Sequence, residues 1–209
     1  MLLDVPFYFN SGHECGQVSL FSCLKYQFPE LDVSLDDLNH LTHHQGNNLT
    51  LPVQLAAGLS KLGLPFSYYM KDIPFESIGK NLSSLVNNFY SPFGKNLLAC
   101  IDISAVEQSL KDLEGSKNVF SLDKKFSLQD IEDLLGQGKA VSSLVNMDLF
   151  FARENRFGGH YITLTGFDQD SFFFHNSGPC KHGKNIKIDK HFYDSIRDLC
   201  FMDWGLVAL

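Results

Sequence analysis

Apolar positions recur at helical spacing through the first half of the chain and take on strand character in the second, with the change near Leu97. Val18, Leu20, Phe21 and Leu24 form a set that Pro29 closes, predicting a helix over roughly Cys15 to Gln27 that begins at Cys15. A second helix is expected from Ser34, where Asp37 stands three residues on as a capping partner. A third follows Thr50, carries Pro52 in its first turn, buries Leu55, Leu59 and Leu62, and stops at Gly63. Residues Phe75 to Tyr90 read as a weaker helix. Leu97 to Ile103 is a short apolar run, after which Ser104 is expected to cap a helix to about Leu113. Another capped helix runs from Ser127 to Leu135 and ends at Gly136 and Gly138. Strands are expected at Ala140 to Met147, His160 to Phe167, Phe172 to His175, Asn185 to Ile188 and Leu206 to Leu209. The pattern predicts a single α+β domain over 1–209, with a helical lobe of about 1–95 packed on a mostly antiparallel sheet lobe of about 96–209.

Composition narrows the function classes. The hydrophobic set makes up 44% of the 209 residues and charged residues 20%, enough apolar surface for a core. Twenty-four acidic against 17 basic residues give a formal charge of −7 with no dense Lys/Arg cluster, which argues against nucleic acid. Apolar stretches such as Leu97 to Ile101 fall far short of the ~20 residues that span a bilayer, so no membrane partner is expected. The start Met-Leu-Leu-Asp-Val-Pro lacks a basic region followed by an apolar one, so the expected compartment is the cytoplasm. Cysteines at 15, 23, 100, 180 and 200 form an odd set without CxxC spacing, which fits neither a disulfide framework nor a zinc ribbon. His40, His43 and His44 invite a metal reading, but no carboxylate or cysteine follows at a supporting spacing, and no cofactor is expected.

Cys15 is the candidate nucleophile. It lies in Glu14-Cys15-Gly16-Gln17 where a loop enters the first helix, so backbone N–H groups and the positive end of the helix dipole favour its thiolate. Gly16 is expected to leave the backbone beside the sulfur open to a carbonyl, whose oxygen would meet the Cys15 N–H and a side-chain donor, for which Asn10 is the candidate. The base candidate is His160 in Gly158-Gly159-His160-Tyr161, and the group to orient it is Asn176 in His175-Asn176-Ser177-Gly178-Pro179. Asp168-Gln169-Asp170 between them is turn-like. A three-residue turn would pair Asn176 with Ile162 and put it on the face of His160, whereas a two-residue turn would separate them unless a bulge intervened. Phe150, Phe151 and Phe157 could line a substrate groove.

In these blocks the chain resembles the C39-like branch of the papain-like cysteine peptidases. Val5-Pro6-Phe7-Tyr8 precedes Glu14-Cys15-Gly16; Gly159-His160-Tyr161 leads to Thr165-Gly166-Phe167; Asn176 comes before Gly178-Pro179; and Trp204 precedes the final apolar residues. His160 follows Cys15 by 145 residues, inside the interval of about 130 to 150 that separates the pair in papain and the cathepsins. The resemblance implies a papain-like fold with Cys15 as nucleophile, His160 as general base and acid, and Asn176 as the orienting group, acting on an amide bond of a peptide or protein through a thioester. Three departures stand out. Asn10 occupies the region where the family has an oxyanion-donating glutamine, Asn176 stands where aspartate is frequent, and Gln17 replaces a small residue or proline. Leader-peptide processing is not implied, because members with that role sit on transporters with membrane helices. Two other readings share the cleft: a transglutaminase, deamidase or acyltransferase using the same three residues, and a non-catalytic binding module that lost turnover through the changes at Asn10 and Gln17.

Overall fold

The computed structural model describes residues 1–10, 12–46, 48–69, 100–114, 116, 119–122, 126–151, 158–179, 181–198 and 206–209. The expected helix over Phe75 to Tyr90, residues 97–99 of the Leu97 to Ile103 run, Phe157, Cys180, Cys200 and Trp204 lie outside the described residues.

Local capping sets the helices. The first, α1, spans Cys15–Gln27 as expected and ends before Phe28-Pro29. Helix α2 (Leu35–Leu41) starts at a capping box in which Ser34 Oγ accepts the Asp37 N–H and the Asp37 carboxylate accepts the Ser34 N–H. Helix α3 (Pro52–Lys61) has Pro52 at its first position, where its missing N–H costs nothing, and Gly63 takes φ +68° just past the end. Strand β1 (Phe66–Tyr69) follows, then α4 (Ile103–Leu113). The cap of α4 is Asp102, whose carboxylate accepts the Ala105 N–H at 3.1 Å, and Ser104, the expected cap, lies inside the helix and donates to Asp102. A carboxylate with a net charge is the stronger acceptor at a helix start. After β2 (Val119–Leu122), α5 (Leu128–Gly136) is capped by Ser127 and Asp130. The remaining elements are β3 (Val141–Asn146), α6 (Met147–Phe150), β4 (Gly159–Phe167), β5 (Ser171–Asn176), β6 (Gly183–Asp189), α7 (Lys190–Asp198) and β7 (Leu206–Ala208).

The seven strands form one sheet in the order β2-β1-β7-β3-β4-β5-β6, antiparallel except for the β1–β2 pair. The fold is α+β, a helical layer packed on a mostly antiparallel sheet. Strand β1 joins that sheet from within the first 95 residues, while α4 packs against α3 from beyond them. Among the described residues, no helix is long and apolar enough to cross a membrane.

Helix α1 lies between the sheet and α2–α3 and is buried nearly all round, including Val18, Leu20, Cys23 and Leu24. Because β3 is covered on both faces, its two serines need partners inside. Ser142 meets Ser19 of α1 at 2.8 Å, and Ser19 also lies 2.8 Å from Thr163 Oγ1 of β4; Ser143 meets the Tyr193 hydroxyl of α7 at 2.7 Å. The hydroxyl cluster around Ser19, one helical turn after Cys15, thus ties the start of α1 to the strand that carries His160.

The β4–β5 hairpin differs from expectation twice, and the differences cancel. Phe167 pairs with Phe172, so the loop holds four residues, closed by Asp168, whose carboxylate accepts the Asp170 and Ser171 N–H groups. That loop alone would put Asn176 on the wrong face. The register then shifts between Leu164 and Gly166, leaving Thr165 as an extra residue, so that Thr163 pairs with His175 and Asn176 comes level with Ile162 after all. The bulge is held from outside the hairpin: the Thr165 carbonyl accepts the Leu3 N–H at 2.7 Å and its hydroxyl reaches Asn185 at 3.1 Å. Gly166 is required there, since a Cβ would lie 2.8 Å from Leu2 Cα and closer still to the Met1 carbonyl.

His175 anchors the same N-terminal segment and makes folding pH-dependent. Its Nε2–H donates to the Val5 carbonyl at 2.9 Å and its Nδ1 accepts the Asn185 N–H at 3.1 Å, a pattern open only to the neutral ring. Burial lowers its pKa below the ordinary value, and Lys184 adds to this against the opposing pull of Val5, Phe174 and Asp4. The unfolded chain therefore takes up a proton near pH ~6.5 that the folded one resists, so this stabilisation is present above that pH and is lost as pH falls toward the folded value. His44 shifts in the same direction and His160 in the opposite one. We expect His175→Phe to cost about 1–3 kcal/mol at pH 7 by orphaning the Val5 and Asn185 groups. In denaturant melts, the difference from wild type should shrink between pH 7 and pH 5; a constant difference would contradict this account.

Candidate active site

Three elements converge at one end of the sheet. Cys15 is the first residue of α1, His160 the second of β4 and Asn176 the last of β5. The structure brings His160 into interaction with Cys15 on one side and Asn176 on the other. The His160 Nε2–H donates to Asn176 Oδ1 at 2.9 Å, which leaves Nδ1 for the interaction of His160 with Cys15. The Asn176 amide can take only one orientation, because Oδ1 also accepts the Gly178 N–H at 3.1 Å while Nδ2 donates to the Lys181 carbonyl at 3.0 Å. An imidazole held this way has its tautomer chosen for it.

Electrostatics favour charge on both partners. Burial alone would push the Cys15 thiol up, but the charge and hydrogen bond of His160, with the backbone N–H groups of Tyr161 and Gly16, bring it below the ordinary thiol range. Burial likewise disfavours a charged His160, yet Cys15 and the Asn176 amide raise its pKa above the ordinary imidazole value. Each partner therefore favours the charged form of the other. Cys23 is the internal contrast: it is fully buried on the same helix without a charged partner, and burial drives its thiol far up.

Asn10 sits at the edge of this site and is buried. Its N–H donates to the Ser177 carbonyl at 2.8 Å, which pins it to the turn just after Asn176, and its Oδ1 accepts the Gly12 N–H at 2.9 Å. The amide is thereby oriented with Nδ2 inside the protein and without a hydrogen-bond partner among the described residues. Ser177 was not singled out by sequence, and its buried Oγ also lacks a partner among the described residues; its place in Asn176-Ser177-Gly178 was the available signal.

Two expectations change. Gly16 does not leave the sulfur's surroundings open: a Cβ there would lie 3.2 Å from the Tyr161 ring and 3.5 Å from Leu55, so its bareness serves the packing of α1 on β4 and α3. Gln17 points away from the cleft, buried between Thr42 and Thr50, with its Nε2 2.9 Å from each hydroxyl. Its side chain thus serves the helical layer. His43 lies 2.7 Å from Asp112, which Lys61 also meets at 2.7 Å, and His44 Nδ1 lies 3.0 Å from the Thr50 hydroxyl. Among the described residues, no group of three or more His, Cys, Asp or Glu side chains is arranged to hold a metal.

Beside His160 opens a cavity of about 170 Å³ bounded by Phe151, Gly158, Gly159 and Pro179 among others. Of the expected groove aromatics, Phe151 lines it directly, and Phe150 stacks edge-on against Phe151 with ring centres 5.3 Å apart.

No family model matches the sequence, and no curated protein matches it significantly. Solved structures do match by shape. A Bacillus anthracis chain described as a C39-like peptidase superposes with a TM-score of 0.53 at 11% identity, covering 100% of this chain and 96% of its own. The peptidase domain of Streptococcus ComA, a bifunctional ABC transporter involved in a quorum-sensing pathway, gives 0.47 at 13% identity over 97% of this chain and 94% of that one. The first of these likenesses shows a common fold.

Proposed function

Proceeding from that fold, we propose that the protein is a papain-like cysteine hydrolase of the C39-like type that cleaves an amide bond in a peptide or protein. The observation that carries this reading is the hydrogen bond from the His160 ring to the Asn176 amide together with the mutual influence of Cys15 and His160, which moves both titrating groups toward their charged forms. The Cys15 thiolate attacks the carbonyl carbon, and the resulting oxyanion is met by the Cys15 N–H and Asn10 Nδ2. On collapse the C–N bond breaks, the His160 proton passes to the leaving amine, and a thioester remains. Water then gives a proton to His160 while its oxygen attacks the thioester, which releases the acid and restores the thiolate. Asn176 keeps the ring aligned through both halves; being neutral, it positions the imidazolium without adding a full opposite charge.

Iodoacetamide labelling with adduct mapping tests the ion pair. Cys15 should alkylate selectively well below pH 8, with Cys23 protected by burial, and His160→Ala should move that reactivity toward the ordinary thiol range near pH ~8.5. Equal slow labelling of all five cysteines would favour the non-catalytic reading.

A further inference from the structure

Resting on the hydrolase reading, we infer that Asn39 is a positioning residue for the nucleophile: it moors the Glu14 carboxylate against α2 and so keeps a negative charge away from the Cys15 sulfur and the helix-start N–H groups that the reaction uses. The need arises from the sequence itself. Glu14 immediately precedes Cys15 and is the N-cap of α1, a place from which an acidic side chain is drawn to the first N–H groups of a helix. Here it does not cap them: α1 has no side-chain cap, although α2 and α5 each begin on a Ser–Asp box. The backbone is placed as in an ordinary N-cap, since the Glu14 carbonyl accepts the Val18 N–H at 2.8 Å. Of the uncapped N–H groups, that of Gly16 favours the thiolate and that of Cys15 meets the oxyanion, so a carboxylate among them would compete with both charges.

The carboxylate goes to α2 instead. Asn39 Nδ2 donates to Glu14 Oε1 at 2.8 Å, and the Asn39 backbone is held in turn, its carbonyl accepting the His44 N–H at 2.9 Å. The amide can face Glu14 in only one way, because reversal would set Oδ1 against the carboxylate, acceptor against acceptor. Its Oδ1 is left buried and without a hydrogen-bond partner among the described residues, an unfavourable position that is kept while the amide N–H2 serves Glu14. The titratable groups on this side are His44 and His13. The charge of Glu14 favours a protonated His44, which burial opposes most strongly and His13 opposes as well. The Cys15 thiol, by contrast, is set by burial, by His160 and by the N–H groups of Tyr161 and Gly16. A charge carried by the residue next to the sulfur is thus spent on His44 and Asn39.

The test is the pH profile of Cys15 alkylation by iodoacetamide in the full chain. In Asn39→Ala the freed carboxylate should raise the midpoint by about 0.5–1 pH unit, so that alkylation well below the midpoint slows about 3- to 10-fold. The difference from wild type should shrink as salt rises. Asn39→Leu, which keeps more of the side-chain volume, should do the same. Asn39 is only partly buried and both replacements favour a helix, so cooperative melting should be retained. Glu14→Gln has no charge to release and should titrate as the wild type does, and Glu14→Gln/Asn39→Ala should return the midpoint to the wild-type value. An Asn39→Ala profile that overlays the wild type overturns the inference, and so does a shift that persists in the double variant, since it would report lost packing instead of a released charge. Either result leaves the hydrolase reading intact. A wild-type Cys15 that does not react selectively below the ordinary thiol range overturns the hydrolase reading and this inference with it.

Discussion

Cys15→Ala is expected to lower kcat/KM for amide cleavage by about 10^4- to 10^6-fold, and His160→Ala by a similar factor, with the double variant scarcely worse than either. The reason lies in the geometry rather than in the residue types alone. Each partner shifts the other's proton affinity, Cys15 raising His160 and His160 lowering Cys15, so removing one disables both. In Cys15→Ala the imidazole keeps its burial and its Asn176 hydrogen bond but loses the thiolate, and its titration, followed by NMR, should move down from the wild-type position. Cys15 is half-buried at a helix start, and alanine suits that position, so the melting temperature should change little. Full amide cleavage by Cys15→Ala, measured on a peptide library beside the wild type, would remove the cysteine from the mechanism.

Why these residues could be picked out from the chain, and others could not, comes down to the range of the forces involved. Helix α1 begins at Cys15 and α2 at Ser34 because loop chemistry and caps act within a few residues, and the Ser127/Asp130 box at α5 is of the same kind. The meeting of His160 with Asn176 was foreseeable only in parity. The expected three-residue turn and the observed four-residue loop with a bulge at Thr165 bring Asn176 to the same level, yet the bulge depends on Leu3 and Asn185, remote in sequence from the turn. Helix α7 escaped notice because it is mostly polar in composition: Tyr193 and Ile196 are buried, but so is Arg197, which pairs with Asp194 and lies 4.6 Å over the Phe126 ring. Its start was signalled by Asp189, whose carboxylate accepts the Phe192 N–H at 2.9 Å. Strand β1, the four residues Phe-Ser-Tyr-Tyr, is too short for alternation to speak, and its partners β2 and β7 lie far along the chain.

Asn10→Ala should lower kcat by about 10^2- to 10^3-fold while leaving iodoacetamide alkylation of Cys15 and its pH dependence unchanged. The two readouts separate because alkylation by iodoacetamide develops no oxyanion, whereas attack on an amide does. A buried amide N–H2 without a partner is costly to keep, and Asn10 Nδ2 is such a group while its Oδ1 is committed to Gly12. The cost makes sense if the missing acceptor arrives with the reaction, as negative charge on the substrate oxygen. Removing the side chain relieves the orphaned donor but gives up the Gly12 hydrogen bond, and these opposing effects should leave the melting temperature nearly where it was. Asn10→Asp should be worse than alanine for turnover, because a carboxylate offers only acceptors and sets like charge against the developing oxyanion. Unchanged kcat in Asn10→Ala would assign the oxyanion to other donors, with the helix-start N–H of Cys15 and the buried Ser177 hydroxyl the groups to examine next.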